Sequence, residues 1–235
     1  MKQSQFIKGL KAGIPIAMGY LSVSFAFGIM AVGMGFFWWQ AVLISMMNLT
    51  SAGQFAGLGI MLLPGHYLDM VIAQLTINIR YAFMAISLSQ KADESFRGMY
   101  RWLLGFGTTD EVFAVAIMEE TVAPSYYAGL ILLPFLGWSG GTLFGALLGN
   151  VLPDRLTSAL GMAIYGMFIA IVVPELKKGK ELCIVVAFAL VLSCAFRYLP
   201  ILNQVGSGMA ITICAVLAAV FGAVCFPFDS GEQQP

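Results

Sequence analysis

Three clusters of polar residues interrupt a chain that is otherwise almost wholly apolar, and each has side chains that could bind or ferry a charged ligand. The first is Asn48-Leu-Thr50-Ser51-Ala-Gly53-Gln54-Phe55. Its small residues let a helix unwind, and a broken helix aims backbone N–H groups at an anion such as a carboxylate. The same residues would also suit plain packing between helices. The second cluster sets Gln74, Asn78 and Tyr81 on one helical face at i, i+4, i+7, with Thr76, Arg80 and Ser87 on a second stripe. An arginine deep in an apolar segment is costly and faces a carboxylate or a cavity; it serves a ligand, an ion pair between helices, or both. The third is Thr108-Thr109-Asp110-Glu111-Val112-Phe113. Its adjacent carboxylates suit a proton or an ammonium group and are natural partners for Arg80, unless the segment is simply a loop in water.

The elements that must position these clusters are membrane helices. Of 235 residues, 60% are hydrophobic and only 10% charged, whereas soluble domains carry about 25% charged residues. Apolar stretches fall at 13–34, 36–63, 66–89, 101–118, 125–150, 157–176, 181–199 and 206–228. The expected fold is all-α and polytopic, one transmembrane domain over 1–235. Lys2, Lys8 and Lys11 precede the first stretch, which lacks a cleavage site and reads as a retained helix.

Eight simple crossings conflict with the preference of Lys and Arg for the cytoplasmic side. A cytoplasmic N-terminus would then leave Lys91, Arg97 and Arg101, and Lys177, Lys178 and Lys180, outside. Both basic loops return to the cytoplasm if 36–63 and 101–118 are re-entrant or broken segments. For 101–118 the energetics agree: Asp and Glu each cost about 2.5–3.5 kcal/mol at a helix centre, against about 0.3–0.6 gained per large apolar residue. The seven Leu, Ile, Phe and Val between Leu103 and Ile117 do not offset Asp110 plus Glu111. The expectation is six spans plus two re-entrant or broken helices, with eight spans as the alternative.

Other functions find little support. Net charge is zero, so no basic surface suggests nucleic acid. Cys183, Cys194, Cys214 and Cys225 have no zinc spacing, and no metal or cofactor motif is present. Gly137-Trp-Ser139-Gly matches the GxSG of intramembrane proteases, but no later histidine could serve as base: His66 precedes it. An enzyme is not expected. Gly137, Gly141, Gly145 and Gly149 form a stripe for close helix packing, either internal or with another chain.

At these residues the sequence resembles the azaleucine-resistance permease (AzlC-like) family, the large subunits of two-component branched-chain amino-acid exporters. The matches are the SAGQF run at 51–55, Asn78 and Arg80 as N-x-R, the TDExFA core from Thr109 to Ala114, and LPDRLTSALGMAIYGMFIAIVVP at 152–174. Tyr81 stands where the family has histidine, and Gly53 where alanine is common. The resemblance implies export of leucine, isoleucine, valine and methionine across a bacterial inner membrane, driven by the proton motive force. It also implies a small hydrophobic (AzlD-like) partner subunit. Mapped onto this chain, the substrate-binding candidates are Ser51, Gly53, Gln54, Asn78, Arg80, Thr109, Asp110 and Glu111, the last two also candidates for proton coupling.

Overall fold

The computed structural model describes residues 2–149, 169, 173, 176, 177, 179–200, 202–205 and 207–226. Most of the 152–174 run, and Lys178 of the basic loop, lie outside the described residues. The chain is all-α, a polytopic membrane protein. Its described helices are α1 Lys2–Gly33, α2 Trp38–Met47, α3 Ser51–Met61, α4 Tyr67–Lys91, α5 Met99–Gly105, α6 Asp110–Ala116, α7 Pro124–Leu148, α8 Lys180–Tyr198 and α9 Ser207–Cys225. Among the described residues α1, α4, α7 and α8 are long and apolar enough to span a bilayer, while α2 and α9 are shorter apolar helices. The chain divides into two compact units, Met1–Leu58 with Asn78–Tyr165, and Gly59–Ile77 with Gly166–Pro235.

In the first unit α1 and α7 lie side by side and run parallel, because small residues let their backbones meet. A Cβ at Gly137 would stand 2.7 Å from the Ala17 carbonyl oxygen, one at Gly141 2.5 Å from that of Leu21, and one at Gly145 would collide with that of Phe25. Glycines of α1 answer from the other side: a Cβ at Gly13 would stand 2.6 Å from the Leu130 carbonyl oxygen, and one at Gly28 would collide with that of Thr142. The four-residue glycine stripe is therefore an internal seam. Gly149, at its end, meets Ile29 of α1.

The two segments suspected of re-entry are both broken helices, and each doubles back. Helix α1 ends in a Schellman turn at Gly35 (φ +100°), with Phe36 N–H donating to the Ala31 carbonyl at 3.1 Å. Helix α2 starts there, capped by the Gln40 side chain on Phe37 N–H at 2.9 Å. The chain breaks at 48–50 and α3 returns: Leu58 packs with Ala41 of α2 and with Phe27 and Ala31 near the end of α1. Helices α5 and α6 repeat the pattern around a break at 106–109. Leu104 of α5 and Val112 and Ala116 of α6 share one cluster with Leu88, Phe96 and Tyr126.

The second hairpin comes from the opposite end of the unit. Lys8 of α1 pairs with Glu119 at 2.6 Å. Lys91, at the end of α4, donates to the carbonyls of Ile117 (2.6 Å) and Glu119 (3.2 Å), and Val122 N–H donates to the Lys91 carbonyl at 2.7 Å. These bonds gather the start of α1, the end of α4, the exit of α6 and the approach to α7 at one basic end. In the loop there, the Ser95 N–H, 2.7 Å from Asp93 Oδ1, holds the Asp93 carboxyl below its ordinary range. A long helix followed by a hairpin thus occurs twice, inverted the second time, a layout familiar in secondary transporters.

In the second unit α8 and α9 pack through Phe188 stacked on Phe221, ring centroids 4.3 Å apart. The first turns of α4 join α9 through Thr76 and Thr212, hydroxyl to hydroxyl at 3.2 Å. His66 pairs with Asp69 at 2.7 Å across the first turn of α4.

Candidate functional site

The two hairpin tips meet near the middle of the first unit. Arg80 stands three turns before Lys91 and Tyr20 just over three turns after Lys8, so each lies about 17 Å along its helix from the basic end. That is about half of a 30 Å hydrocarbon core.

Each tip is built in the same way and held by the long helix of the other half. In the first, Thr50 caps α3: its Oγ1 accepts from Gly53 N–H at 3.4 Å and donates to Asn78 Oδ1 of α4 at 2.6 Å. The Gln54 N–H donates to the Thr50 carbonyl at 2.9 Å, so the amides of Gly53 and Gln54 already have local acceptors. In the second, Thr109 caps α6, accepting from Val112 N–H, and the Tyr20 hydroxyl of α1 lies 2.6 Å from its Oγ1 and 2.5 Å from Glu111 Oε2. A threonine cap is the local reason each helix restarts where it does: its hydroxyl satisfies an amide that the break would otherwise leave bare.

Arg80 and Asp110 meet at 2.8 Å and tie α4 to the second tip. Their side chains keep 43% and 38% of their surface exposed. The Arg80 guanidinium also lies 5.2 Å from the Tyr81 ring centroid, a cation–π contact. Glu111 takes the Tyr20 hydroxyl and has no ion-pair partner among the described residues.

A cleft of about 280 Å³ opens between the tips, walled by Asn48, Thr50, Asn78, Tyr81, Phe106 and Thr108 among others. Of the sequence-predicted binding residues only Asn78 lines it directly. Arg80 and Thr109 adjoin the lining residues Tyr81 and Thr108 in the chain, Asp110 and Glu111 follow two and three residues after Thr108, and Ser51 opens α3 beside its wall. Gln54 points elsewhere. It is 1% exposed, donating to Ser45 Oγ at 3.0 Å and accepting from Trp138 Nε1 at 2.8 Å. Ser45 in turn bonds the Thr142 hydroxyl at 2.7 Å, so the first hairpin is seated on α7 by buried side-chain hydrogen bonds. Among the described residues, Ser139 Oγ is buried with no hydrogen-bond partner.

Sequence reasoning missed Tyr20, Ser45, Trp138 and Thr142. Ser45 and Thr142 did carry a signal, as lone hydroxyls inside apolar helices, which seek a partner across a helix contact. Tyr20 and Trp138 read as ordinary apolar bulk.

Fold and site together define a polytopic membrane protein whose polar centre is made by two inverted helical hairpins. The AzlC protein family matches residues 15–152, taking in both hairpins and α7, and the chain belongs to that family. It is 33% identical to an uncharacterized membrane protein of Archaeoglobus fulgidus, over 75% of this chain and 78% of that one. It is 28% identical to the inner membrane protein YgaZ of Escherichia coli, over 77% and 78%. With the branched-chain amino acid transport protein AzlC of Bacillus subtilis it shares 26% identity over 72% of this chain and 66% of that protein. No solved structure matches the chain.

Proposed function

We propose that this protein is a secondary exporter of the branched-chain amino acids leucine, isoleucine and valine, with methionine a further substrate, and that both units act as one transporter domain. The observation that carries the reading is the Arg80–Asp110 pair beside a cleft between two half-helix tips, in a chain of the AzlC family. An α-amino acid is a zwitterion. Its carboxylate matches Arg80 and its ammonium matches Asp110, so the substrate can split the pair and leave every charge compensated, which an intramembrane site favours. Thr50, Asn78 and Thr108 supply hydrogen bonds, and Phe106 and Tyr81 an apolar wall for the side chain.

Asp110 is held by Arg80, whereas Glu111, among the described residues, takes a neutral phenol and no cation, so Glu111 is proposed to carry the coupling proton. Gln54 is proposed to hold the first tip in place. By the positive-inside preference the basic end, with the N-terminus, faces the cytoplasm of a bacterial inner membrane. The likeness to the Bacillus transport protein supports the substrate class, and a small AzlD-like membrane subunit is the proposed partner.

The test is efflux of labelled leucine from cells preloaded with a leucine dipeptide, with and without the chain and a co-expressed partner gene. The reading expects efflux that needs both genes and collapses with an uncoupler. Equal efflux from cells lacking the chain would remove it.

A further inference from the structure

The central cleft has a neighbour. Between the last turns of α4, the loop at Phe96, α5 and the first turn of α7 lies a second cavity of about 160 Å³. Leu88, Phe96 and Tyr127 give it largely apolar walls, and Arg101 stands at its rim. It shares Ala85, Gly105 and Thr108 with the central cleft, so the two chambers are separated by one layer of residues. The α4 positions Tyr81, Ala85 and Leu88 recur every three or four residues, a single helix face that lines both chambers, and Ala92 follows just past the helix end. That face runs from the middle of the unit to the basic end at Lys91.

The walls are firm: Leu88 and Phe96 are 7% and 6% exposed. Arg101 is aimed by its own bond, Nε donating to the Phe96 carbonyl at 2.8 Å. Its guanidinium makes no ion pair with any described residue, so the cavity offers one uncompensated positive charge above an apolar floor. Such a site fits a small molecule with one carboxylate and an apolar tail.

We infer that this chamber is a second binding station for the same ligand class, apolar amino acids, occupied before the central cleft on the way out from the basic face. Arg101 takes the carboxylate, and Leu88, Phe96 and the Ala92 methyl take the side chain. The inference rests on the export reading.

The test is uptake of radiolabelled leucine and alanine by energised inside-out membrane vesicles from cells co-expressing the chain and the partner gene, which present the basic face to the medium, measured across concentrations. Arg101→Gln should raise the half-saturating leucine concentration about tenfold by removing a charge-assisted contact, with the maximal rate kept. Arg101→Lys should recover some of that loss. Ala92→Leu, which fills the chamber, should lower the preference for leucine over alanine severalfold. Unchanged half-saturation and preference in these variants, beside active wild-type vesicles, would overturn the chamber alone. Lost maximal rate at unchanged half-saturation would do the same by making Arg101 structural. Wild-type vesicles that take up neither amino acid would instead sink the export reading. If Arg101→Gln fails to reach the membrane, Arg101→Lys and Ala92→Leu decide by the same readouts.

Discussion

The α1–α7 seam allows a sharp test, because two glycines five residues apart on one helix stand in opposite circumstances. A Cβ at Gly145 would collide with the Phe25 carbonyl oxygen and stand 2.8 Å from its carbon. That obstacle is helix backbone and cannot turn aside. A Cβ at Gly140 meets nothing within 4 Å. Gly145→Ala must therefore push α1 away from α7, although the helices also touch at Gly13, Gly28, Gly137 and Gly141. Each lost atom pair forfeits about 0.1–0.2 kcal/mol, so about twenty lost pairs cost about 3 kcal/mol, the upper end for overpacking. Gly140→Ala should be neutral or stabilising by up to about 1 kcal/mol, since alanine is the better helix former. At about 2–4 °C per kcal/mol for a chain of this size, Gly145→Ala should lower Tm by about 6–12 °C and Gly140→Ala by nothing. The assay is thermal unfolding of the purified protein in detergent, followed by tryptophan fluorescence. Equal shifts for the two variants would refute the seam, and Gly145→Leu with normal stability but lost partner binding would move the stripe to a subunit interface.

Three further outcomes follow from the same geometry. Gln54→Leu leaves Trp138 Nε1 without its acceptor, while the Ser45 hydroxyl keeps Thr142, and should cost about 1–3 kcal/mol in thermal unfolding; a loss below about 0.5 kcal/mol would mean the hairpin is not seated through this amide. Arg80→Ala and Asp110→Ala should each destabilise by about 1–3 kcal/mol, below the range for fully buried pairs because both side chains are half exposed, and the double variant should lose less than the sum; additive losses in a double-mutant cycle would show no coupling. Cysteines placed at Ser95 and Gly179 should both resist an impermeant thiol reagent in intact cells, and labelling of just one would contradict the shared cytoplasmic side.

Where the chain breaks its helices was legible because the cause is local. Asp110 and Glu111 cannot cross lipid unaided, and the small residues around Ser51 weaken a helix without reference to anything distant. The meeting of Arg80 with Asp110 followed from charge, since an intramembrane arginine needs a carboxylate and few are on offer. The partner of the glycine stripe was not legible: it depends on α1 running parallel to α7, which the intervening elements decide. Nor was the role of Gln54, because its acceptor and donor, Ser45 and Trp138, lie nine residues before it and 84 after it. Side-chain type gave the chemistry available, and long-range packing chose which groups spend it on the fold.

The central claim is that a zwitterion divides the Arg80–Asp110 pair, and ligand-induced stabilisation measures this most directly. The purified protein, carrying Arg101→Gln to silence the second chamber, would be titrated with leucine, with isocaproate, which lacks the ammonium, and with isoamylamine, which lacks the carboxylate. At about 100 times its dissociation constant, leucine should stabilise the fold by about 2.7 kcal/mol, while each half-charged analogue should do far less. Arg80→Gln and Asp110→Asn should each abolish the leucine shift. A full shift with either analogue, or an unchanged leucine shift in both variants, would contradict the account.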